Sequence, residues 1–122
     1  MKIQLQLKLE ECMMLVTGLY ILYYSGMEWW WYLLLFIGPD ISMLGYLGGN
    51  KAGAALYNSF HHKGVGLILI LTGLISDHQP IVMAGVVVVA HSAFDRMLGY
   101  GLKLNKGFKY THLGVIGKQS GE

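Results

Sequence analysis

The feature that most constrains the fold is a series of four apolar segments separated by short polar breaks. A helix needs about 20 apolar residues to cross the hydrocarbon core of a bilayer, and short breaks force neighbouring helices to run antiparallel. We therefore predict an all-α fold, a four-transmembrane-helix antiparallel bundle forming a single integral membrane domain over 1–122. The predicted helices cover about 9–25, 29–48, 52–76 and 80–99, and a short polar C-terminal tail covers 100–122.

Composition supports a lipid-facing surface. Only 13% of the residues are charged, against about 25% in soluble domains. A soluble bundle of unusually apolar helices, buried in a tight oligomer, is the alternative. The net charge of +2 without a basic stripe argues against a nucleic-acid partner. Cys12 is the one cysteine, which excludes an intrachain disulfide. Met1–Leu9 lacks the pattern of a cleaved signal peptide, so the first helix is expected to act as its own signal.

The basic residues predict how the bundle is oriented. They alternate between helix ends, because the first and third breaks contain no lysine or arginine, whereas the second break and both terminal regions do. Since basic residues concentrate on the cytoplasmic side, both termini are predicted to be cytoplasmic. Glu28–Tyr32 fits an aromatic belt at the outer interface. The basic residues concerned are Lys2, Lys8, Lys51, Arg96, Lys103, Lys106, Lys109 and Lys118.

Ionisable residues within the predicted helices fall at one depth. Asp40, His61 and His91 lie eight residues from Gly48, Gly53 and Gly99, at the cytoplasmic ends of their apolar segments, which corresponds to a depth of about 12 Å. Asp95 lies one turn from His91 on the same helix face. Charged groups inside membrane helices are costly and suggest function. We therefore predict one buried polar site near the cytoplasmic side.

Two imidazoles with two carboxylates form a ligand set that suits zinc, iron or manganese. We predict that Asp40, His61, His91 and Asp95 bind a divalent metal. Pro39 frees a carbonyl and bends its helix, which presents Asp40 inward. Asp40 is also the candidate general base, and His112 in the tail is a candidate acid, base or further ligand.

Other polar residues are candidates for holding a substrate, and several have a simpler interpretation. Arg96 suits an anion such as a phosphate, or it forms an interfacial charge pair with Asp95. His91 could instead serve only as a hydrogen-bond partner between helices. Soft copper ligands, Cys12 with nearby methionines, are disfavoured because methionine in apolar helices usually packs. The predicted substrate-binding residues are Tyr46, Tyr57, Asn58, Arg96 and Lys103.

Four runs of sequence carry a family resemblance: 39–46, 53–61, 90–103 and 108–114. With them the chain resembles a bacterial family of short membrane proteins, the domain of unknown function 4260. The resemblance covers nearly the whole chain and implies a multi-pass protein of the bacterial inner membrane. It implies no activity.

A shorter pattern is similar to the inner-membrane metal-dependent hydrolases related to the LexA-binding membrane protein. It consists of a Pro-Asp pair, a membrane histidine and a His-x-x-x-Asp motif on successive helices. The matching positions are Asp40, His61, and His91 with Asp95. The chain departs from that family after the Pro-Asp pair, where a second acidic residue is usual, and at His62, which directly follows the first histidine instead of lying several residues after it.

These observations lead to three functional hypotheses. The leading one is a membrane-embedded metal-dependent hydrolase that acts on a lipid, a lipid-linked phosphate or another amphiphile from the cytoplasmic side. The second is a small transporter or proton-coupled carrier, which would require a homo-oligomer. The third is a structural or regulatory membrane protein whose polar layer locks helix packing.

Overall fold

The computed structural model describes residues 2–116, and Met1 and 117–122, including Lys118 and the end of the predicted tail, lie outside the described residues. Helices dominate the described residues, so the all-α class is confirmed. The helices are α1 (Ile3–Tyr24), α2 (Trp29–Ile37), α3 (Asn50–Phe60), α4 (Lys63–Ile75) and α5 (Gln79–Met97), with a 3₁₀ segment over Gly38–Gly48 and two short strands, β1 (Tyr110–Thr111) and β2 (Gly114–Val115).

Helix α5 lies at the centre of the fold and packs against α1, α2 and α4. Its inward face carries small and branched side chains, which form one apolar cluster with leucines of α1 and α2. This arrangement leaves α5 with buried residues along most of its length, including the polar residues His91, Ser92 and Asp95 near its C-terminal end. The buried cluster comprises Leu15, Leu22, Trp31, Leu35, Met83, Val87 and Ala90.

Glycine allows α4 and α5 to approach backbone to backbone. A Cβ atom added to Gly85 would lie 2.5 Å from the carbonyl oxygen of Gly66, and one added to Gly66 would lie 2.9 Å from the carbonyl oxygen of Gly85. A similar contact joins α1 to α5, since a Cβ on Gly18 would lie 2.6 Å from the Cβ of Ala90. Helix α5, which carries His91 and Asp95, is therefore held at short separations from α1 and α4.

Three of the predicted helices differ from the structure. The first, expected over about 9–25, begins six residues earlier, at Ile3. The second helix, expected over 29–48, is α-helical only to Ile37 and continues as a 3₁₀ segment. Pro39, the second residue of this segment, lacks the N–H that an α-helix needs there. The third, expected over 52–76, is broken into α3 and α4 at His61 and His62. His62 caps α4, because its Nδ1 accepts a hydrogen bond from the N–H of Val65 at 3.3 Å.

The predicted four membrane spans are not all supported. Among the described residues, two helical stretches are long and apolar enough to cross a membrane, Trp29–Gly48 and Gln79–Met97. Lys63–Ile75 is apolar but shorter. The break at His61 shortens the third predicted span, and the polar residues of the N-terminal turns of α1 dilute its apolar character.

The segment that follows α5 folds back onto α3. Strands β1 and β2 pair antiparallel, and Lys103 forms a bridge with Thr111. The side-chain amide of Asn58 holds this segment in place. Its Nδ2 donates to the carbonyl of Lys103 at 2.8 Å, and its Oδ1 accepts from the N–H of Lys103 at 2.6 Å. A second amide of α3 contributes, because Nδ2 of Asn50 donates to the carbonyl of Lys106 at 3.2 Å.

Candidate metal centre

His91 is oriented by the carbonyl that Pro39 leaves without a partner. In a regular α-helix the carbonyl of Leu35 would accept a hydrogen bond from the residue four positions on, but that residue is Pro39, which has no N–H. In the structure the Nδ1 of His91 lies 2.9 Å from this carbonyl oxygen. A carbonyl can only accept, so Nδ1 carries the proton and Nε2 of the neutral ring has a lone pair.

His61 is oriented in the same way by the break between α3 and α4. It is the last residue before the break and is completely buried. Its Nδ1 lies 2.8 Å from the carbonyl oxygen of Tyr57, so its Nδ1 also carries the proton. The ring of Tyr57 stacks on the imidazole with 3.7 Å between ring centroids. Backbone carbonyls thus fix both histidines with Nε2 as an acceptor.

Four acceptor atoms converge in front of these two rings. The two Nε2 atoms are 3.1 Å apart. Oδ1 of Asp40 lies 3.1 Å from Nε2 of His61 and 3.2 Å from that of His91. Oδ2 of Asp95 lies 3.4 Å and 3.6 Å from the same two nitrogens. All four ligand atoms lie within 4.8 Å of one another.

This geometry suits a small cation. Lone pairs that face each other at such distances repel unless a positive charge lies between them. Four ligands about 2.0–2.1 Å from a tetrahedral zinc ion lie about 3.3–3.4 Å from one another, which falls within the range of the distances found here. The orienting hydrogen bonds to Leu35 and Tyr57 are of the kind that metal-binding histidines make through their other nitrogen. The cluster of Asp40, His61, His91 and Asp95 could therefore hold a metal ion.

The two carboxylates have different surroundings. Asp95 is buried, and its Oδ2 also accepts a hydrogen bond from the hydroxyl of Tyr57 at 3.3 Å. The Asp40 side chain is 35% exposed. Both border a cavity of about 260 Å³ between the 3₁₀ segment, α3, the end of α5 and the tail. The cavity is also lined by Met43, Tyr57, Tyr100, Lys103, Phe108 and Ile116.

Lys103 provides a positive charge in this cavity. It is only 4% exposed, and its Nζ lies 3.8 Å from the ring centroid of Phe108 and 4.8 Å from that of Tyr57. Aromatic faces stabilise a cation at these distances. Burial lowers the pKa of Lys103, and the negative charges of Asp95 and Asp40 oppose that shift. The ammonium group therefore borders the cavity without a carboxylate in salt-bridge contact among the described residues.

The remaining predicted residues occupy other positions. Asn58 uses its amide to hold the tail. Tyr46 packs on Phe108, and its buried hydroxyl has no hydrogen-bond partner among the described residues. Arg96 and His112 line a different cleft. Sequence reasoning missed Phe108, and no local pattern indicates it, because its contact with Lys103 depends on how the tail folds back.

The fold and the site define a class of protein: a small all-helical chain with apolar helices and a buried histidine and aspartate cluster that could hold a metal. Within that class, the chain belongs to the family described as domain of unknown function DUF4260, whose model matches residues 4–116. The family resemblance predicted from the four sequence runs is thus confirmed. The chain matches no curated protein and no solved structure.

Proposed function

We propose that the protein is a membrane-embedded, metal-dependent hydrolase that acts on a lipid or lipid-linked phosphate at the cytoplasmic face. The observation that carries this proposal is the convergence of four acceptor atoms from Asp40, His61, His91 and Asp95 beside a cavity that contains Lys103. Backbone carbonyls hold the Nδ1 proton of each histidine, so both Nε2 atoms present a lone pair to the two carboxylates.

Burial distinguishes the residues that would bind the metal from the residue that would accept a proton. His61, His91 and Asp95 are buried and would hold a divalent metal such as zinc, iron or manganese. Such a metal lowers the pKa of bound water and polarises a phosphoryl oxygen. The half-exposed Asp40 is the residue of the cluster that can exchange between binding the metal and accepting a proton from water. Hydrolysis then adds the hydroxyl of water to phosphorus and its proton to the leaving oxygen.

The cavity supports an anionic headgroup as the reacting part of the substrate. Lys103 is its positive charge, and no metal ligand neutralises it within salt-bridge distance among the described residues. A volume of about 260 Å³ is smaller than the about 300–1,000 Å³ of sites that enclose whole small molecules. The space therefore suits a phosphate group and its immediate substituents, while the rest of the substrate stays outside.

A bilayer location is supported by the outward face of α4 as well as by the two candidate spans. Leu67, Ile68, Leu71, Leu74 and Ile75 are each 54–85% exposed and lie along this one helix. Contiguous apolar surface of this kind marks contact with lipid or another protein. We place both termini in the cytoplasm of a bacterial inner-membrane protein, on the basis of the alternating basic residues.

The proposal is tested by metal content and phosphate release in the same samples. Protein purified in mild detergent without affinity histidines is analysed by mass spectrometry for metals and is then assayed with short-chain phosphatidate. We expect about one metal per chain in the wild type and none in His91→Ala. Asp40→Asn should keep its metal and lose about 10²–10⁴-fold in rate. Metal-free wild-type protein that takes up no added zinc, iron or manganese would refute the proposal.

The third hypothesis, a polar layer that locks helix packing, is favoured by one observation. The distances of 3.1–3.2 Å between the two Nε2 atoms and from each of them to Oδ1 of Asp40 also suit hydrogen bonds through protons shared within the cluster. In that case the variants should lose thermal stability with no metal to lose. The transporter hypothesis stays a prediction, and uptake in proteoliposomes is its test.

A further inference from the structure

A second cleft, of about 560 Å³, shares no lining residue with the metal cluster or with the cavity beside it. The N-terminal half of α1, the start of α4, the end of α5 and the tail form its walls. Three of its residues, Lys8, Lys63 and Arg96, are basic. Glu11 is the acidic residue of the lining, and it is already paired, because the Nζ of Lys63 donates to its Oε1 at 2.6 Å. Lys8 and Arg96 leave the cleft with excess positive charge.

The two histidines of the cleft are oriented as hydrogen-bond donors. Nδ1 of His112 accepts from the N–H of Leu102 at 2.8 Å, and Nδ1 of His62 accepts from the N–H of Val65 at 3.3 Å. A neutral imidazole that accepts at Nδ1 carries its proton at Nε2. Each ring therefore adds one N–H donor, at Nε2, to a cleft that is already positively charged.

The guanidinium of Arg96 is held in place by carbonyls rather than by a carboxylate. Nη1 donates to the carbonyl of Tyr100 at 2.9 Å and Nη2 to the carbonyl of His61 at 3.1 Å. Arginine has five N–H donors in a planar fork, so these two bonds position the group without using all of them. Guanidinium groups of this kind bind phosphate oxygens through parallel hydrogen bonds.

An apolar groove continues from this cleft along α1. Leu7, Lys8 and Glu11 line the cleft, and Met14, Gly18 and Ile21 line the groove, at spacings of three to four residues on one helix face. The same transition occurs on α4, where Lys63 borders the cleft and Ile70, two turns further on, borders the groove. The groove has a volume of about 260 Å³ and is almost wholly apolar. Between Met14 and Ile21 it extends about 10 Å.

We propose that the cleft and the groove together bind a membrane lipid with an anionic headgroup, with its phosphate in the cleft and the start of an acyl chain in the groove. The cleft, with its N–H donors and positive charge, matches the phosphate of such a lipid, and the apolar groove next to it along α1 matches the acyl chain. The direction also agrees with cytoplasmic termini, since the groove runs from the N-terminal end of α1 towards the bilayer centre. This site is separate from the metal cluster and does not depend on bound metal.

The test is lipid binding by the full chain in detergent, measured by native mass spectrometry. Delipidated protein is titrated with phosphatidylglycerol, phosphatidylcholine or inorganic phosphate. We expect phosphatidylglycerol to bind at least fivefold more tightly than phosphatidylcholine. Lys8→Gln should weaken that binding about fivefold, because each basic residue near an anionic lipid contributes about that factor. Lys51→Gln, an exposed lysine on α3 outside the cleft, is the matched control and should bind like the wild type.

Two further variants test the parts of the site. Arg96→Gln should weaken phosphatidylglycerol binding more than Lys8→Gln, and metal content measured in the same sample separates this result from failure of the metal site. Ile70→Trp fills the groove and should weaken the binding of the lipid only. Equal affinity for the two lipids, or equal losses in Lys8→Gln and Lys51→Gln, would overturn the proposal. Binding of inorganic phosphate as tight as that of the lipid, with no effect of Ile70→Trp, would also overturn it.

Discussion

Binding of a metal by the cluster should raise the thermal stability of the protein, and His91→Ala should abolish that response. A ligand that binds only the folded state at 100 times its dissociation constant stabilises it by about 2.7 kcal/mol. For a chain of 122 residues, about 1 kcal/mol shifts the melting temperature by about 4 °C. Free metal at that concentration should therefore raise Tm by about 10 °C relative to chelator.

His91→Ala also destabilises the protein for a reason that has nothing to do with metal. The variant removes the donor to the Leu35 carbonyl, which Pro39 cannot replace. A buried polar group left without a partner costs about 1–3 kcal/mol. Since this loss is about as large as the contribution of the metal, a lower Tm in the variant alone would not distinguish a metal site from a polar packing layer.

The informative quantity is the difference in Tm between metal and chelator within each protein. Differential scanning fluorimetry in detergent should give about 10 °C for the wild type and about 0 °C for His91→Ala. His78→Ala, at the exposed turn before α5, is the control and should respond like the wild type. The reasoning would be refuted if the wild type melted at one temperature with zinc, iron, manganese or chelator, because protons shared within the cluster would then neutralise the facing lone pairs.

Three further predictions follow from the packing and the tail. Gly85→Ala places a Cβ 2.5 Å from a carbonyl oxygen of α4 and should lower the free energy of unfolding by about 1–3 kcal/mol, measured by denaturant titration. Asn58→Ala removes both hydrogen bonds to the backbone of Lys103 and should speed hydrogen exchange in the tail while leaving α5 protected. Burial and the charge of Arg96 lower the pKa of His112 below 6.5, so the unfolded chain binds its proton more readily, and stability should fall as the pH drops below 6.5.

Each of these predictions has its own control. Gly48→Ala is expected to change stability by less than about 0.5 kcal/mol, because its added Cβ would meet only an ordinary contact at 3.4 Å. Asn50 donates one hydrogen bond to the tail at 3.2 Å, so Asn50→Ala should loosen it less than Asn58→Ala. His112→Gln should remove the loss of stability between pH 6.5 and the pKa of the folded state. An unchanged acid profile in that variant would contradict the role assigned to the His112 ring.

The convergence of the cluster could be predicted from the sequence because it depends on regular geometry. Counting eight residues from three helix ends placed Asp40, His61 and His91 at one depth, and the rise of an α-helix is constant. Pro39 indicated a free carbonyl near Asp40. The sequence did not reveal that His91, 56 positions after Leu35, supplies the donor for the Leu35 carbonyl. That contact depends on how α2 and α5 pack.

The sequence predictions missed two features, the helix break at His61 and the position of Arg96. The break at His61 interrupts a stretch without proline, and the freed backbone groups there are satisfied by distant residues such as Arg96, which donates to the His61 carbonyl. The placement of Arg96 away from the metal cavity was available from the sequence. Consecutive helical residues are rotated by about 100°, so Asp95 and Arg96 leave the helix in different directions.

The tail is a partition between the two cavities. Leu102 lines the proposed lipid cleft and Lys103, the next residue, lines the cavity beside the metal cluster, so one short segment forms a wall of both spaces. A ligand that orders this segment from one side lowers the conformational-entropy cost of binding a ligand on the other side. Lipid in the proposed cleft and an anion in the cavity beside the metal cluster would therefore be thermodynamically linked, and the factor by which one changes the affinity of the other would be the same in both directions.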